Sequence, residues 1–305
     1  MVSLYDIQRV LKGELRISEP LASYTTFRIG GPADYFMVPV SKDDLTQVVG
    51  YLHEHECAFL LIGNGSNLLV SDDGYRGAVI QVEKALREIR MEGDRVYVEA
   101  GVRLARFVDF CIHRSLGGTE MLAGIPGTIG GAVVMNAGAH GSELSDHLTD
   151  VEILHNGRVE RVPRDQAGFV YRRSGLEGDV VLAARFALRT AEKEELMRTR
   201  RSLLIKRNAT QPVNIPNAGS IFKNPAGTTA ATLIEKAGLK GRRHGGARIS
   251  PRHANLIVNE GDAKASDIRA LITLIQSTVR KKYALDLELE VKLVGFDNPV
   301  LMKVA

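Results

Sequence analysis

The apolar positions of residues 1–85 predict a small lobe of mixed helix and strand. A helix is predicted where apolar residues recur at helical spacing, at Leu45, Val48, Val49 and Leu52. It begins behind Ser41-Lys-Asp-Asp44, which resembles a capping box with Asp in place of Glu. Strands are predicted at 24–40, at 58–62 and at 78–82. We expect these elements to form a first lobe.

Residues 86–195 predict a second lobe. Alternation over 88–100 indicates a hairpin that turns at Glu92-Gly93-Asp94, and an amphipathic helix follows from Leu104 to Cys111. Further strands are predicted at 151–154, 159–162 and 180–188. A charged helix over 191–207 is expected to mark the boundary with the next lobe.

Residues 196–305 predict a third lobe. Helices are expected near 228–237 and from Ser266 onward, with a strand at 255–259. A last strand over 287–293 alternates, which would place Glu288 and Glu290 on a polar face. The pattern as a whole predicts an α+β fold of three lobes, with boundaries near residues 85 and 195.

Two glycine-rich segments interrupt these patterns. Residues 124–141 contain six glycines and almost no charge. Because glycine is costly inside helices and strands, we expect neither a packed helix nor an ordinary strand there. Gly63-Asn-Gly-Ser-Asn67 offers a second such loop. Exposed main-chain N–H groups of this kind bind phosphate, so two loops in one domain predict an extended dinucleotide cofactor.

Other nucleotide-binding motifs do not fit these loops. Gly63 and Gly65 follow a predicted strand, but Leu68 stands where a Rossmann fingerprint has its third glycine, and no helix pattern follows. Neither loop contains the Gly-Lys-Ser/Thr of a P-loop. Both motifs are therefore excluded.

Composition excludes several other classes of protein. The chain has 305 residues, is 44% hydrophobic and carries a net charge of +4, too weak to indicate nucleic-acid binding. No apolar stretch approaches the roughly 20 residues that cross a bilayer, and the N-terminus lacks the layout of a signal peptide. Its 2 cysteines and 8 histidines match no metal spacing. We expect a cytoplasmic protein with no metal and no membrane or nucleic-acid partner.

Basic residues cluster in two places after residue 197. The cluster at 198–207 follows several glutamates and is best explained as the solvated face of a helix. The cluster at 240–252 lies in a glycine-bearing loop, where an anionic ligand competes with the simpler explanation.

Six segments occur in an order typical of one enzyme family. They are Thr25-Thr-Phe-Arg-Ile-Gly-Gly-Pro-Ala33, Gly63-Asn-Gly-Ser-Asn-Leu68, Gly124-Ile-Pro-Gly-Thr-Ile-Gly-Gly131, Asn136-Ala-Gly-Ala139, Tyr171-Arg-Arg-Ser174 and Asn217-Ala-Gly-Ser-Ile-Phe-Lys-Asn-Pro225. The chain resembles the UDP-N-acetylenolpyruvoylglucosamine reductases, the MurB family of peptidoglycan synthesis, from about residue 20 to residue 295. The resemblance implies that lobes one and two form an FAD-binding fold of the vanillyl-alcohol oxidase type. The third lobe would bind the substrate.

The resemblance also implies a reaction. NADPH would reduce a non-covalently bound FAD, and UDP-N-acetylglucosamine enolpyruvate would then replace it. Hydride would pass from flavin N5 to C3 of the enolpyruvyl group and a proton to C2, giving UDP-N-acetylmuramate. This would be a step of cell-wall biogenesis, on which cell shape and division depend. We expect a monomer.

Individual roles are carried over from matching motif positions. Ser220 would donate the proton, Arg172 would hold the substrate carboxylate, and Glu290 would be the third catalytic residue with a raised pKa. Substrate contacts are expected from Tyr171, Lys223, Asn224 and Asn255. Cofactor contacts are expected from Arg28, Gly63, Asn64, Gly65, Ser66, Asn67, Gly124, Gly127, Thr128, Gly130, Gly131 and Gly138.

The chain departs from one branch of this family. That branch carries an inserted loop with a tyrosine that closes over the substrate, whereas no tyrosine lies between Arg172 and Ser220 here. The chain therefore resembles the branch without the loop. Two alternatives remain: another flavoenzyme of the same fold, such as a hydroxy-acid oxidase, and a nucleotide-binding protein without catalysis. The segment 217–225 argues against the first, and the presence of Arg172, Ser220 and Glu290 argues against the second.

Overall fold

The computed structural model describes residues 4–296. The outermost parts of the predicted first and third lobes, 1–3 and 297–305, lie outside the described residues. Within residues 4–296, no helix is both long and apolar enough to cross a membrane.

The first part of the chain forms a four-stranded sheet with helices at its side. Its elements are α1 (Leu4–Val10), β1 (Glu14–Pro20), β2 (Pro32–Val38), α2 (Lys42–Glu54), β3 (Phe59–Ile62), β4 (Leu68–Val70) and β5 (Tyr75–Gln81). The strand order is β1-β2-β5-β3, antiparallel only between β1 and β2. The apolar face of α2 is buried as predicted, and the Ser41 side chain accepts the N–H of Asp44.

The predicted strand over 24–40 is wrong in its first half. A 3-10 turn spans Leu21–Tyr24, and a loop follows in which Thr25 Oγ1 both accepts from Ile29 N and donates to Ile29 O. This local hydrogen bonding replaces a strand ladder, so the strand begins only at Pro32. The strand at Glu14–Pro20 was not predicted, since charged residues blur its alternation.

The middle of the chain forms a five-stranded antiparallel sheet. Its elements are β6 (Ile89–Glu92), β7 (Arg95–Glu99), α3 (Leu104–His113), β8 (Leu116–Gly117), α4 (Ile129–Val134), β9 (Gly138–Ala139), β10 (Ser142–Glu143), β11 (Leu148–His155), β12 (Arg158–Pro163), β13 (Val180–Ala187) and β14 (Arg189–Thr190). The order is β12-β11-β13-β7-β6, and the predicted hairpin and strands are confirmed.

The glycine-rich segment 124–141 is more regular than predicted. Ile129–Val134 forms a short helix, and Gly138–Ala139 pairs with Ser142–Glu143. The helix forms because Ile129 and Val133 are fully buried and Gly130 packs against Ala100. Tertiary burial here outweighs the helix-breaking tendency of glycine.

The last part of the chain packs around its own core. Its elements are α5 (Lys193–Thr210), α6 (Ala230–Lys236), β15 (Arg243–His244), β16 (Ala247–Ile249), β17 (Ile257–Asn259), α7 (Ala265–Tyr283) and β18 (Lys292–Val294). The predicted helices are confirmed. The predicted strand over 287–293 is mostly wrong, because only Lys292–Val294 is a strand, and it pairs in parallel with β4.

Two large apolar cores organise the molecule. One joins α1, α2, β3 and β5 with the five-stranded sheet, so the first two parts of the chain share it. The other lies between α6, α7 and the sheet of β15, β16 and β17. Phe27, Ile29 and Leu69 extend from the first part of the chain into this second core. The segments around residues 27 and 69 therefore form the junction where all parts of the chain meet.

Candidate active site

The two predicted cofactor loops lie against each other. Ser66 Oγ donates a hydrogen bond to the carbonyl oxygen of Pro126 at 3.0 Å. A Cβ on Gly63 would overlap Thr128 Oγ1, and one on Gly127 would stand 3.1 Å from Ser66 Oγ. Side chains at these two glycines would therefore force the loops apart. The structure brings together two segments that are 60 residues apart in sequence.

The loops leave main-chain donors free. Over residues 4–296, the N–H groups of Asn64, Gly65, Ser66 and Asn67 have no protein acceptor, and the same holds for Gly127, Thr128 and Gly131. Gly65 adopts the left-handed φ of +57° that turns this loop. Successive unpaired N–H groups in such a turn form a concave anion site. The residues present thus fit a cofactor that carries a pyrophosphate.

Gly130 and Gly138 differ from the glycines with free amides in the contacts that they make. The N–H of Gly130 donates to Ala100 O at 2.8 Å, and a Cβ there would stand 3.0 Å from the Ala100 Cβ. Gly130 therefore permits close packing and has no main-chain donor left for a ligand. The carbonyl oxygen of Gly138 accepts a hydrogen bond from Arg172 Nη2 at 2.7 Å.

Arg172 lies in a tight, strained turn. Val170 and Arg173 exchange main-chain hydrogen bonds of 3.0 and 3.1 Å across it, and Arg172 itself has a left-handed φ of +58°. Such a conformation is disfavoured for a residue with a side chain and persists only where its surroundings fix it. The guanidinium lies over the Tyr171 ring at 4.9 Å from its centroid. Tyr171 is exposed beside it.

Glu290 is the ion-pair partner of Arg172. Its Oε1 lies 3.0 Å from Arg172 Nε, and both side chains are about four-fifths buried, with 18% and 19% exposed. Its main-chain N–H donates to Ile221 O, and its carbonyl accepts from Asn67 Nδ2. Glu290 therefore connects the first glycine loop, the Arg172 turn and the Ser220 segment.

Burial raises the pKa of Glu290 above its ordinary value of 4.5, and the nearby Arg172 and Lys223 offset this only in part. The predicted direction is confirmed. The predicted location on an open polar face is wrong: the Glu288 side chain is 72% exposed, whereas that of Glu290 is 19% exposed. The difference arises because the chain is not a regular strand at these positions.

Ser220 stands in a turn anchored from two sides. Asn217 Oδ1 accepts the N–H of Gly219 at 2.9 Å, and Gly219 takes a left-handed φ of +71°. Thr26 Oγ1 donates to the carbonyl of Asn217 at 2.6 Å, which ties the turn to the first part of the chain. Ser220 is half-buried, and its hydroxyl forms no hydrogen bond to the protein among the described residues. Its neighbour Ile221 accepts the N–H of Glu290.

Among the predicted substrate contacts, Lys223 lies close to Glu290, whereas the amides of Asn224 and Asn255 bond to the protein backbone. Lys223 Nζ lies 2.6 Å from Glu288 and close enough to Glu290 to lower its pKa. Asn224 Oδ1 accepts the N–H of Ala230 at 3.1 Å, so this side chain caps α6. Asn255 is 3% exposed, and its amide bonds both the N–H and the carbonyl of Phe222. These bonds hold the Ser220 segment in place, and the substrate contact expected of Asn255 stays a prediction.

Arg28 is exposed at the edge of the site. It has a left-handed φ of +56° in the loop closed by Thr25 and Ile29. Within 4–296 its guanidinium has no ion-pair or hydrogen-bond partner, so it is available to an anion.

Arg207 is a partly buried arginine beside Gly124, at a position where the sequence predicted a solvated helix face. The cluster at 198–207 was interpreted as a solvated helix face, but burial lowers the pKa of Arg207, and no acceptor for it lies in the described range. Its Cδ would stand 2.9 Å from a Cβ on Gly124. His253 is nearby: burial and the charges of Lys240 and Arg207 lower its pKa, and its Nδ1 is buried with no partner among residues 4–296. A helical charge pattern cannot show which residue a neighbouring loop covers.

The neighbouring basic cluster is neutralised only in part. Lys240 pairs with Glu235 at 2.8 Å, and Glu260 pairs with both Arg243 and Arg248 at 2.8 and 3.2 Å. Within residues 4–296, Arg242 and Arg252 have no ion pair and the buried Arg248 Nε has no partner, so surface ion pairs do not explain the whole cluster.

Comparison with known proteins decides the family. Residues 33–162 match the FAD binding domain family, and residues 211–294 match the C-terminal domain of UDP-N-acetylenolpyruvoylglucosamine reductase. The reductase of Chloroherpeton thalassium is 44% identical over 98% of this chain and 99% of its own. The chain belongs to the UDP-N-acetylenolpyruvoylglucosamine reductase family. The Bacillus subtilis reductase is 42% identical over 93% of this chain and 95% of its own.

Solved structures agree with this assignment. The MurB reductase of Thermus caldophilus has a TM-score of 0.79 at 35% identity, covering 93% of this chain and 99% of its own. Berberine bridge enzyme from Eschscholzia californica has a TM-score of 0.50 at 16% identity, covering 63% of this chain and 44% of its own, which concerns the fold alone. The predicted family and fold class are confirmed.

The segment between the Arg172 turn and the Ser220 turn matches the branch of the reductase family expected from the sequence. It consists of β13, β14, α5 and their connections, and it contains no tyrosine. A lid tyrosine from an inserted loop is therefore absent from this stretch, which the structure describes completely.

Proposed function

We propose that this chain catalyses the NADPH-dependent reduction of UDP-N-acetylglucosamine enolpyruvate to UDP-N-acetylmuramate, a step of peptidoglycan precursor synthesis. Family membership makes it a flavin-dependent oxidoreductase with FAD as its cofactor. One observation supports this chemistry most strongly: Arg172, Glu290 and the Ser220 turn converge beside two loops with unpaired main-chain donors.

We assign the cofactor phosphates to the loops at 63–67 and 127–131. The unpaired N–H groups of Asn64 to Asn67 would donate to the pyrophosphate, with Gly127, Thr128 and Gly131 on the other side. When bound, FAD supplies the hydride chemistry, accepting hydride from NADPH and delivering it to C3 of the enolpyruvyl group. Asn67 Nδ2 also donates to the Glu290 carbonyl, so a hydrogen bond joins the loop at 63–67 to the segment that carries Glu290.

Arg172 would hold the substrate carboxylate. Its Nη2 donates to Gly138 O and its Nε to Glu290, which leaves Nη1 and the second N–H of Nη2 without a protein partner among residues 4–296. A guanidinium binds carboxylate through parallel N–H groups, and its charge stabilises the negative charge that develops at C2 and on the carboxylate. Because the turn fixes the backbone, little reorganisation is needed at the moment of reaction.

Ser220 would donate the proton to C2. A hydroxyl is a weak acid, but an enolate-like carbon is basic enough to accept its proton when the two are within hydrogen-bond reach. The Asn217 and Thr26 contacts fix the turn that presents this hydroxyl. Glu290, whose pKa is raised by burial, supports proton delivery in its protonated form and otherwise anchors Arg172.

The nucleotide end of the substrate is assigned to the third part of the chain. Arg207 carries a partly buried positive charge without a protein acceptor in the described range, and His253 lies near it. A charge partly withdrawn from water is stabilised by a partner, and an electron-rich oxygen of the UDP group would provide one. Lys223, beside Glu290, would lie between this end and the reacting group.

Anaerobic reoxidation of the reduced protein tests the proposal. The holoenzyme is bleached with NADPH, and enolpyruvyl-UDP-GlcNAc is then added without oxygen. We expect the yellow oxidised spectrum to return with one UDP-N-acetylmuramate formed per flavin. If only hydroxy acids or oxygen affect the redox state, the chain is a flavoenzyme of another specificity and the proposal fails. Monomeric state and cytoplasmic location remain predictions.

A further inference from the structure

Asn136 is a buried side chain that the proposed chemistry does not use. It is 1% exposed and has a left-handed φ of +41°. Its amide makes three contacts: Nδ2 donates to Glu143 Oε2 at 2.6 Å and to Val170 O at 3.1 Å, and Oδ1 accepts the N–H of Ser145 at 3.3 Å. A fully bonded buried amide of this kind fixes the segments that it joins.

One of those segments is the Arg172 turn. Val170 is the first residue of the turn, and its carbonyl accepts both Asn136 Nδ2 and the N–H of Arg173. At the other end of the turn, Ser174 Oγ donates to Val134 O at 3.0 Å. Both anchors therefore come from the end of α4 and the residues just after it. The left-handed conformation of Arg172 is held between them.

The hydrogen bonds of Asn136 also help to position the Gly138 carbonyl, which accepts from the Arg172 guanidinium. Asn136 lies two residues before Gly138, whose carbonyl receives Arg172 Nη2. Glu143 pairs with Gly138 across β9 and β10, and its carboxylate receives Asn136 Nδ2. The position of the Arg172 backbone and of its side-chain acceptor thus depends on one amide.

We propose that Asn136, anchored by Glu143, is a positioning residue for Arg172. The inference rests on the proposed function, since it assigns to Asn136 the task of orienting the arginine that holds the substrate carboxylate. Only an amide meets the pattern, because it donates to two oxygens and accepts from one N–H. An aspartate at position 136 would set a carboxylate against the Glu143 carboxylate and the Val170 carbonyl, all of them acceptors. The turn would then relax and withdraw the guanidinium.

The test separates the two half-reactions of the Asn136→Asp holoenzyme. We expect NADPH to reduce the flavin within about twofold of the parent rate, because the role proposed for Arg172 is to hold the carboxylate of the enolpyruvyl substrate. We expect reoxidation by enolpyruvyl-UDP-GlcNAc to slow by about 10²-fold, the effect of misplacing a group that orients the substrate. A purely structural defect would change both half-reactions or the flavin content alike.

Two further variants keep the test decisive. Glu143→Gln perturbs the network mildly, and a several-fold slower reoxidation with full flavin content is expected. Asn136→Asp combined with Glu143→Gln restores a donor–acceptor pair between the two side chains but leaves Val170 O without its donor. This double variant should recover thermal stability and not the reoxidation rate.

The control is Asn156→Asp. Asn156 is an exposed asparagine that also has a left-handed φ, +47°, and the variant should behave as the parent.

The proposal is overturned if Asn136→Asp reoxidises at the parent rate, if the double variant recovers that rate, or if both half-reactions fall together. Arg172→Lys, measured alongside, distinguishes this from failure of the proposed function. If the parent itself is not reoxidised by the substrate, the proposed function is wrong. If the parent is reoxidised and Arg172→Lys is equally fast, Arg172 has no role for Asn136 to support.

Discussion

Arg172 and Glu290 show how single side chains acquire their properties from distant parts of the chain. They are separated by more than a hundred residues, yet their charged atoms lie 3.0 Å apart in a largely buried position. This buried, paired position sets the pKa of Glu290. Burial raises the pKa of Glu290, while Arg172 limits the rise. Motif resemblance identified both residues, but only the folded structure gives their pairing.

Replacing Ser220 by alanine should separate the two half-reactions. The variant should bind FAD and be reduced by NADPH as the parent is, because the hydroxyl makes no hydrogen bond to the protein in the described range. Reoxidation by the enolpyruvyl substrate should slow by about 10²- to 10⁴-fold, the usual contribution of a general acid. Anaerobic stopped-flow absorbance measures both steps. An unchanged reoxidation rate would show that Ser220 is not the proton donor.

Replacing Glu290 by glutamine should change how stability depends on pH. Because the pKa of Glu290 is raised in the folded state, its contribution to stability is present below the unfolded pKa and is lost as pH rises through the folded pKa. Glutamine cannot ionise, so the Tm of Glu290→Gln minus that of the parent should become more positive as pH rises from about 4, near the unfolded pKa, through the raised folded pKa. Thermal unfolding across this range gives the difference. A constant difference would contradict a raised pKa.

Among the elements, helices with one apolar face were predictable, and the starts of α2 and α7 lie within one residue of those expected. The repeat at Leu45, Val48 and Leu52 gives α2 because it buries one stripe on a sheet. At the start of α7, Asp267 supplies a local cap by accepting the N–H of Lys264 at 3.0 Å. A second cap could not be predicted because it comes from a distant segment: Asp72 accepts the N–H groups of Ala265 and Ser266 at 2.7 and 3.0 Å.

Replacing Asp72 by alanine should therefore destabilise the protein. The change removes both acceptors from the first turn of α7, and loss of such a cap costs about 1 to 2 kcal/mol. The neighbouring Asp73→Ala is the matched control, because the Asp73 side chain makes no hydrogen bond or ion pair to any residue in 4–296. Thermal unfolding should show a lower Tm for Asp72→Ala only. Equal Tm values for both variants would refute the cap.

The contact between the glycine loops makes a prediction about cofactor binding. A Cβ at Gly63 would overlap Thr128, so Gly63→Ala should weaken FAD binding at least about tenfold. Gly50→Ala is the control: this glycine lies within α2 with no atom within 4 Å of an added Cβ. It should leave FAD affinity unchanged and raise stability by about 0.5 to 1 kcal/mol. Titration of the apo-proteins with FAD, followed by fluorescence, compares them. Equal affinities would show that the loop contact is not needed.

The whole molecule is built so that three parts of the chain meet at one place. The last strand returns to pair with β4, and Phe27, Ile29 and Leu69 enter the core formed mainly by residues 218–291. Sequence patterns predicted the order of elements and the two glycine loops, which depend on local spacing. They could not predict the return of the chain at Lys292 or the partial burial of Arg207, since both depend on segments distant in sequence.

We infer that unpaired main-chain donors of two glycine loops hold FAD beside Arg172, Glu290 and Ser220. The visible absorption spectrum of the purified chain, before and after denaturation and after adding FAD to the apo-protein, tests this directly. We expect a yellow protein with one FAD per chain, released intact on denaturation and regained on titration. A colourless protein that stays colourless in excess FAD would contradict it.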